Sequence, residues 1–477
     1  MKLSGWLSLV GGPMAFILLL FLGGSETLTP EIWYVLALAA WMVIWWITEA
    51  VPIPVTSLLP MVVLPILNIF KISEATAPYA SPIIFLFMGG FMIALALEKH
   101  KLHLRIALSL IKITGTSGNG IILGFMLATA ALSMWISNTA TAVMMLPVAT
   151  SVVSLLQSNQ PQADFKNFAL TLMLSIAYSA NIGGTITLIG TPPNIVMSGH
   201  LAKILDYEIF FSQWLAIGMP VGLLLLAACY LLLTRILFPN SVSSIKGSDR
   251  LIQDQLRALG PISREERWVL LIFVTTALSW IFRKQINGLL GADILSDTVI
   301  AIAGGLIMFV LPVAQDKKAL LLWEDTQRLP WGILLLFGGG MCLASALEKT
   351  GIIQLIGQSV GALGSLNPWL IVLFVTALVL FMTELMSNVA LVTIFIPVAI
   401  GVAGGLEINP LLLVIPSTLA SSCAFMMPIS TPPNAIVFAS GHIKMRDMMK
   451  AGVWLNLVAI LILVLATMVI IPRAFPL

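Results

Sequence analysis

Apolar residues run along this chain in long blocks, near 11–24, 31–48, 54–68, 80–97, 118–150, 168–199, 213–237, 267–282, 294–312, 330–347, 368–400, 409–440 and 451–472. The blocks 118–150, 168–199, 368–400 and 409–440 are interrupted by small, polar or proline residues. A helix needs about 20 apolar residues to cross a bilayer. The pattern therefore predicts an all-α polytopic membrane protein. One long polar stretch, Pro239 to Arg267, holds nine charged residues and divides the chain near its middle.

The two halves repeat. Residues 85–100 read F-L-F-M-G-G-F-M-I-A-L-A-L-E-K-H and 335–350 read L-L-F-G-G-G-M-C-L-A-S-A-L-E-K-T, so Gly89, Gly90, Ala94, Ala96, Leu97, Glu98 and Lys99 recur 250 residues later. At the same offset Ser137-Asn138 recurs as Ser387-Asn388 and Pro147-Val148-Ala149 as Pro397-Val398-Ala399. After a ten-residue deletion Thr191-Pro192-Pro193-Asn194 is answered by Thr431-Pro432-Pro433-Asn434. Secondary transporters are built this way and bind where the repeats meet. The expected organisation is an N-terminal transmembrane helix over 1–30, a first repeat over 31–238, a cytoplasmic linker over 239–266 and a second repeat over 267–477.

Charge bears on orientation. With 118–150 and 368–400 as re-entrant hairpins and the N-terminus inside, the chain makes about 11 transmembrane crossings. Eighteen basic residues then fall inside, among them Lys99, Lys101, Arg105, Lys112, Lys246, Lys317, Lys318 and Arg328, against six outside, Lys71, Lys203, Arg283, Lys284, Lys349 and Arg473. That is the positive-inside bias. It places the C-terminus outside the cytoplasm; the expected location is the plasma (inner) membrane. The segment after Glu98-Lys99 carries Lys101, Arg105 and Lys112, whereas the one after Glu348-Lys349 is uncharged as far as Leu366. Equivalent segments therefore face opposite sides, as an inverted repeat requires. The stretch His100–Lys112 reads as an amphipathic interfacial helix or as a solvated loop.

Composition narrows the chemistry. Hydrophobic residues make up 59% of the 477 and charged residues 9%, which excludes an ordinary water-soluble enzyme. The net charge of +3 argues against a nucleic-acid partner. Met1 to Gly24 could pass for a secretory leader; among so many later spans it reads as the first transmembrane helix. Cys229, Cys342 and Cys423 lie inside apolar runs at unrelated spacings and read as small core residues. His100, His103, His200 and His442 each sit beside charged residues near a segment end, which leaves little material for hydrolase or metal chemistry.

Two kinds of backbone interruption recur at matched positions. Ser137-Asn138-Thr139 and Ser387-Asn388-Val389 carry residues that are poor inside helices and good at turns and N-caps. As hairpin tips they would start half-helices whose amides face an anion; the alternative is a helix-packing contact. Gly190-Thr191-Pro192-Pro193-Asn194 and Ser430-Thr431-Pro432-Pro433-Asn434 each lose two amide donors at the prolines. The carbonyls upstream then need a cation, water or protein partner; the alternative is a plain proline kink. No Lys or Arg occurs between Lys112 and Lys166 or between Lys349 and Lys444, stretches that include both tips. An anion there must be held by dipoles, hydroxyls and co-bound cations, which makes cation coupling sensible. Glu49, in W-W-I-T-E-A-V-P-I-P, and Glu384, three residues before Ser387, are either coupling acids or structural acids bonded to backbone.

The paired tips, the paired Thr-Pro-Pro-Asn loops and the I-T-E-A-V-P-I-P segment resemble the divalent-anion/sodium symporter family, the INDY-type dicarboxylate transporters. The resemblance implies an inverted repeat with two re-entrant hairpins and two broken helices. It also implies a homodimer in the lipid bilayer, an elevator-like moving domain, and sodium ions as the coupled cation. By position it implies one sodium site from Ser133, Ser137, Asn138 and the Gly190 carbonyl. Thr383, the Met386 carbonyl, Asn388 and the Ser430 carbonyl make the other. Asn138, Thr139, Thr191, Ser387, Asn388 and Thr431 would face the substrate, as would Val389, which departs from the family's usual Thr and offers no hydroxyl. The expected activity is sodium-driven import of C4-dicarboxylates such as succinate. Rival readings are a sulfate-type or other divalent-anion transporter, a dicarboxylate exchanger, and a cation/proton antiporter using Glu384. A membrane-embedded enzyme has no His, Cys or acid cluster to work with.

Overall fold

The structure, a computed structural model, describes residues 3–22, 28–159, 165–240, 242, 245, 247–312, 319–361 and 367–475. Lys246, Lys317 and Lys318, counted above with the inner face, lie outside the described residues. Apart from one isolated bridge, Pro312 to Ala319, the described chain is helix and connecting turn.

The first helix, α1 (Leu3–Leu22), packs on α2 (Pro30–Thr48). Prolines 52, 54, 60 and 65 then cut the chain into the short helices α3 (Ile53–Thr56) and α4 (Leu59–Ile66), followed by α5 (Ile72–Thr76). Next come α6 (Pro82–Lys99), α7 (Leu102–Ile113), α8 (Gly118–Ser133), α9 (Asn138–Asn159), α10 (Phe165–Ile186), α11 (Pro192–Ile204) and α12 (Phe211–Leu231). The polar middle of the chain contains a helix of its own, α13 (Ser248–Ala258). It leads to α14 (Arg264–Ile281), α15 (Arg283–Leu290) and α16 (Asp297–Val310).

The same succession then returns: α17 (Trp331–Lys349), α18 (Ile352–Gly361), α19 (Pro368–Met382), α20 (Asn388–Gly405), α21 (Leu411–Ser421), α22 (Pro432–Phe438) and α23 (Met445–Val469), ending in α24 (Ile471–Ala474). Each of α17 to α23 answers α6 to α12 in order, and the local sequence says why. Ser117 and Asn367 cap α8 and α19 by accepting the Gly120 and Trp369 amides. α11 and α22 both start at the proline pair, whose missing N–H groups cost nothing at a helix start.

Among the described residues eight helices are long and apolar enough to cross a membrane, or nine if α14 and α15, bent by 79°, form one span. Length alone thus gives fewer spans than the eleven read from sequence. It includes α9 and α20, which the hairpin reading treats as returning arms. It omits α4, α16 and α21, which are short or cut by proline. Large apolar side chains such as Phe21, Val310 and Phe374 are exposed on the outside, where lipid replaces water. The chain is an integral membrane protein.

At the centre lies α10, buried along its whole length from Phe168 to Ile186. The helix expected at His100–Lys112 is present as α7, with Leu102, Ala107, Leu108 and Ile111 buried and Lys101 and Lys112 exposed. Arg105 ties it to the polar middle segment: its Nε and Nη2 donate to the Glu266 carboxylate at 2.8 and 3.0 Å, and Nη1 donates to Gly260 O. The three cysteines are free and buried. His200, four residues before the end of α11, is fully buried.

Candidate functional site

Both Ser-Asn tips are short turns between two helices, residues 134–137 between α8 and α9 and 383–387 between α19 and α20. At the first tip the Ser137 hydroxyl accepts the Ala140 amide at 3.2 Å, an N-cap bond. Just behind it the Ser133 hydroxyl lies 2.6 Å from Asn138 Oδ1 and 2.7 Å from Ala180 O. The second tip repeats this with a threonine: Thr383 Oγ1 lies 2.7 Å from Asn388 Oδ1 and 2.6 Å from Ser421 O. In each case one hydroxyl gathers an asparagine side-chain amide and a main-chain carbonyl around it. Clustered neutral oxygens suit a hard monovalent cation, and the second cluster also has the Glu384 carboxylate beside it, bonded to Ser430. Close approach enforces the first cluster, since a Cβ on Gly184 would come within 2.5 Å of Asn138 Oδ1.

The helix breaks differ in extent. α10 runs to Ile186, five residues short of the first proline pair's threonine, whereas α21 stops at Ser421, ten before Thr431. The carbonyls freed upstream are partly captured by the motif itself. Asn194 Nδ2 donates to Thr187 O at 2.8 Å, and Asn434 Nδ2 to Ala424 O and Met427 O at 3.0 Å each. The asparagine that closes each Thr-Pro-Pro-Asn motif is therefore a clamp across the break. Trp214 Nε1 takes up Thr185 O at 3.0 Å.

Glu384 organises the longer break. Its carboxylate accepts the Phe425, Met426 and Met427 amides at 2.7 to 3.2 Å, the Ser430 hydroxyl at 2.7 Å and Asn456 Nδ2 at 2.9 Å. It is 3% exposed. A carboxylate engaged by five donors is a structural acid, and Met134 at the matching position of the first tip has no such role. Glu49 is different: it ends α2 in a left-handed conformation, φ 47°, and is exposed.

Tips and breaks converge on one cavity of about 970 Å³. It is lined by Ser137, Asn138, Thr139, Gly190 and Thr191 from the first half and by Met386, Ser387, Asn388, Val389, Ser430 and Thr431 from the second. Ser133 and Thr383 lie behind this surface, fully buried. Thr139 is exposed to the cavity and Val389 half-buried, while Thr191 and Thr431 are nearly buried in its wall. Sequence reading missed Asn181, toward the C-terminal end of α10. It also lines the cavity, and it donates to Ala424 O at 3.2 Å and Thr431 Oγ1 at 3.1 Å, joining the halves. Ser175, Tyr178, Ser179 and Thr185 on the same helix are polar as well, so the sequence does not single Asn181 out. The charged side chains on the lining are Glu49, Glu98 and Arg328, the last two paired at 3.6 Å.

Residues 4–471 match the family described as the sodium:sulfate symporter transmembrane region. The chain belongs to the sodium:sulfate symporter family. Among relatives, the sodium-dependent dicarboxylate transporter SdcS of Staphylococcus saprophyticus is 37% identical over 471 residues, covering 97% of this chain and 91% of that one. SdcS of Staphylococcus aureus (strain USA300) is 38% identical over 473 residues, covering 98% and 91%. The family is one of transporters, so this symporter-family chain is a transporter and not an enzyme. Two solved structures share the fold at low identity. The YdaH transporter of Alcanivorax borkumensis has a TM-score of 0.59 at 14% identity, covering 86% of this chain and 88% of that one. MtrF of Neisseria gonorrhoeae, of a class of antimetabolite efflux pumps, has 0.56 at 11%, covering 85% and 83%.

Proposed function

We propose that this protein is a sodium-coupled secondary transporter that imports C4-dicarboxylates such as succinate. The observation that carries the reading is the matched pair of hydroxyl, amide and carbonyl clusters flanking one cavity. Sodium at each cluster would supply positive charge that the tips themselves lack, and the tip amides and hydroxyls would meet the two carboxylates. The first sodium site would use Ser133, Ser137, Asn138 and the Gly190 carbonyl, the second Thr383, the Met386 carbonyl, Asn388 and the Ser430 carbonyl. Asn138, Thr139, Thr191, Ser387, Asn388, Val389 and Thr431 would face the substrate, with Val389 offering shape but no hydrogen bond. The relatives named for sodium-dependent dicarboxylate transport support the choice over sulfate. The antiporter alternative has no free acid at residue 384, whose carboxylate is fully engaged.

The finer architecture belongs to the same proposal: about eleven crossings, two re-entrant hairpins, two broken helices and an inverted repeat. Its parts are the N-terminal helix 1–30, repeats over 31–238 and 267–477, and a linker over 239–266. The homodimer, the plasma (inner) membrane, the cytoplasmic N-terminus and the extracytoplasmic C-terminus complete it. Glu98 and Glu348, equivalent in the repeat, lie in different cavities, which supports inversion. An elevator-type alternating-access motion is supported by an imbalance between matched residues: Ile189 is 7% exposed, whereas Ile429 is 81% exposed to the cavity. Apolar surface left open in one state is surface that another state can bury.

Reconstituted protein is expected to accumulate labelled succinate when sodium is outside and to stop when choline replaces it. Equal uptake in choline or potassium, driven by an imposed proton gradient, would overturn the reading.

A further inference from the structure

A second cavity, of about 820 Å³, lies at the far end of the same helices. α6 gives its C-terminal Glu98 to the first cavity and its N-terminal Pro82 to the second. α17 runs the other way, with Ile333 in the first and Glu348 in the second. Helices of 18 and 19 residues separate their ends by nearly ~30 Å at about 1.5 Å per residue. The two cavities therefore open at opposite ends of the bundle. α11 stands between them, with Pro192 and Pro193 on one and Gly199 and Lys203 on the other.

Glu98 and Glu348 occupy the same place in the repeated A-L-E-K motif, so the duplication sets one acid at each mouth. The basic partners are not duplicated. Arg328 Nη2 lies 3.6 Å from Glu98 Oε2, with the arginine side chain 63% exposed. Among the described residues it is the one Lys or Arg on the first cavity's lining. At the second mouth Lys203 is exposed and lines the cavity together with Glu348. Lys349 lines that cavity too and is held at its wall by three partners, donating to Ile69 O at 2.9 Å and to Glu74 and lying over the Phe70 ring.

We infer that Arg328 and Lys203 are face-specific guides for the dicarboxylate, Arg328 through the first cavity and Lys203 through the second. A dianion approaching a mouth lined by Glu98 and Glu49 meets repulsion unless a cation offsets it, and a charged cleft focuses its field on the approaching ion. An ion pair as exposed as Arg328 with Glu98 is weak, so the guanidinium can exchange one carboxylate for another at little cost. Glu98 keeps Arg328 over the first mouth between passages, and Glu348 shares the second mouth with Lys203.

This rests on the dicarboxylate reading, and the test separates the two. Sodium-driven uptake of labelled succinate is measured in right-side-out and inside-out membrane vesicles. Arg328→Gln is expected to raise the half-saturating succinate concentration about threefold to tenfold, the low end of field focusing, in inside-out vesicles only. Lys203→Gln is expected to do so in right-side-out vesicles only. Arg328→Lys and Lys203→Arg keep the charge and stay near the parent value. The shifts shrink as salt is raised from about 0.05 M to about 0.5 M. Equal shifts in both orientations, shifts on the opposite faces, no shift at all, or charge-keeping variants as impaired as the glutamines would overturn the inference. Parent vesicles that take up no succinate under a sodium gradient would instead overturn the dicarboxylate reading, before any variant is compared.

Discussion

Asn138→Ala and Asn388→Ala are each expected to reduce sodium-driven succinate uptake by about a hundredfold or more while leaving a folded protein. Each amide belongs to a cluster with a buried hydroxyl and a main-chain carbonyl, and each side chain is proposed to serve both a cation and a carboxylate. A bond to a charged group contributes about 1.5 to 3 kcal/mol, and losing two of them multiplies to roughly a hundredfold or beyond at 1.4 kcal/mol per tenfold. Stability should change little. With Asn138 gone, the Ser133 hydroxyl still donates to Ala180 O, and with Asn388 gone, Thr383 still donates to Ser421 O. No buried donor is stranded at either hydroxyl. Uptake and thermal melting are measured on the same purified sample. Near-parental uptake by either variant would remove that residue from the site, and a large drop in melting temperature would make it a packing residue.

Glu384→Ala carries the largest expected effect on stability. It strands the Phe425, Met426 and Met427 amides, the Ser430 hydroxyl and the Asn456 amide in a buried segment. Leaving a buried donor unsatisfied costs about 1–3 kcal/mol. Five of them reach the order of the whole stability of an ordinary domain, about 5–15 kcal/mol. The alanine variant is expected to melt far below the parent or to fail to accumulate, with Glu384→Gln between them because it keeps one acceptor oxygen. Met134→Leu, at the matching position of the first tip, is a volume-conserving change and should cost under about 1.5 kcal/mol. A Glu384→Ala protein as stable as the parent but uncoupled from its cation would make this acid a carrier after all.

The duplicated features were legible because the same local chemistry is written twice. Ser137-Asn138 with Ser387-Asn388, and the two Thr-Pro-Pro-Asn motifs, place two turns and two helix breaks, and all four border one cavity. What stayed hidden depends on contacts between distant parts of the chain. α21 ends at Ser421, well before its prolines, because three amides beyond it turn to Glu384, and no breaker residue marks that point. Asn181 is one of several polar residues on α10, and nothing singles it out until Thr431 is seen against it. Glu98 and Arg328 are 230 positions apart and meet only at the cavity mouth. Spans were the hardest to count, since α4 and α16 are too short for a hydropathy window while α9 and α20 are long enough to pass as crossings.

The central claim is that cation binding at the two tip clusters builds the carboxylate site. A titration of purified protein with succinate over a series of sodium concentrations tests it most directly. The dissociation constant is expected to fall steadily as sodium rises, and sodium to bind more tightly when succinate is present, since linkage between two ligands is reciprocal. Asn138→Ala and Asn388→Ala should each flatten the sodium dependence. The same succinate affinity in choline as in saturating sodium would contradict the account.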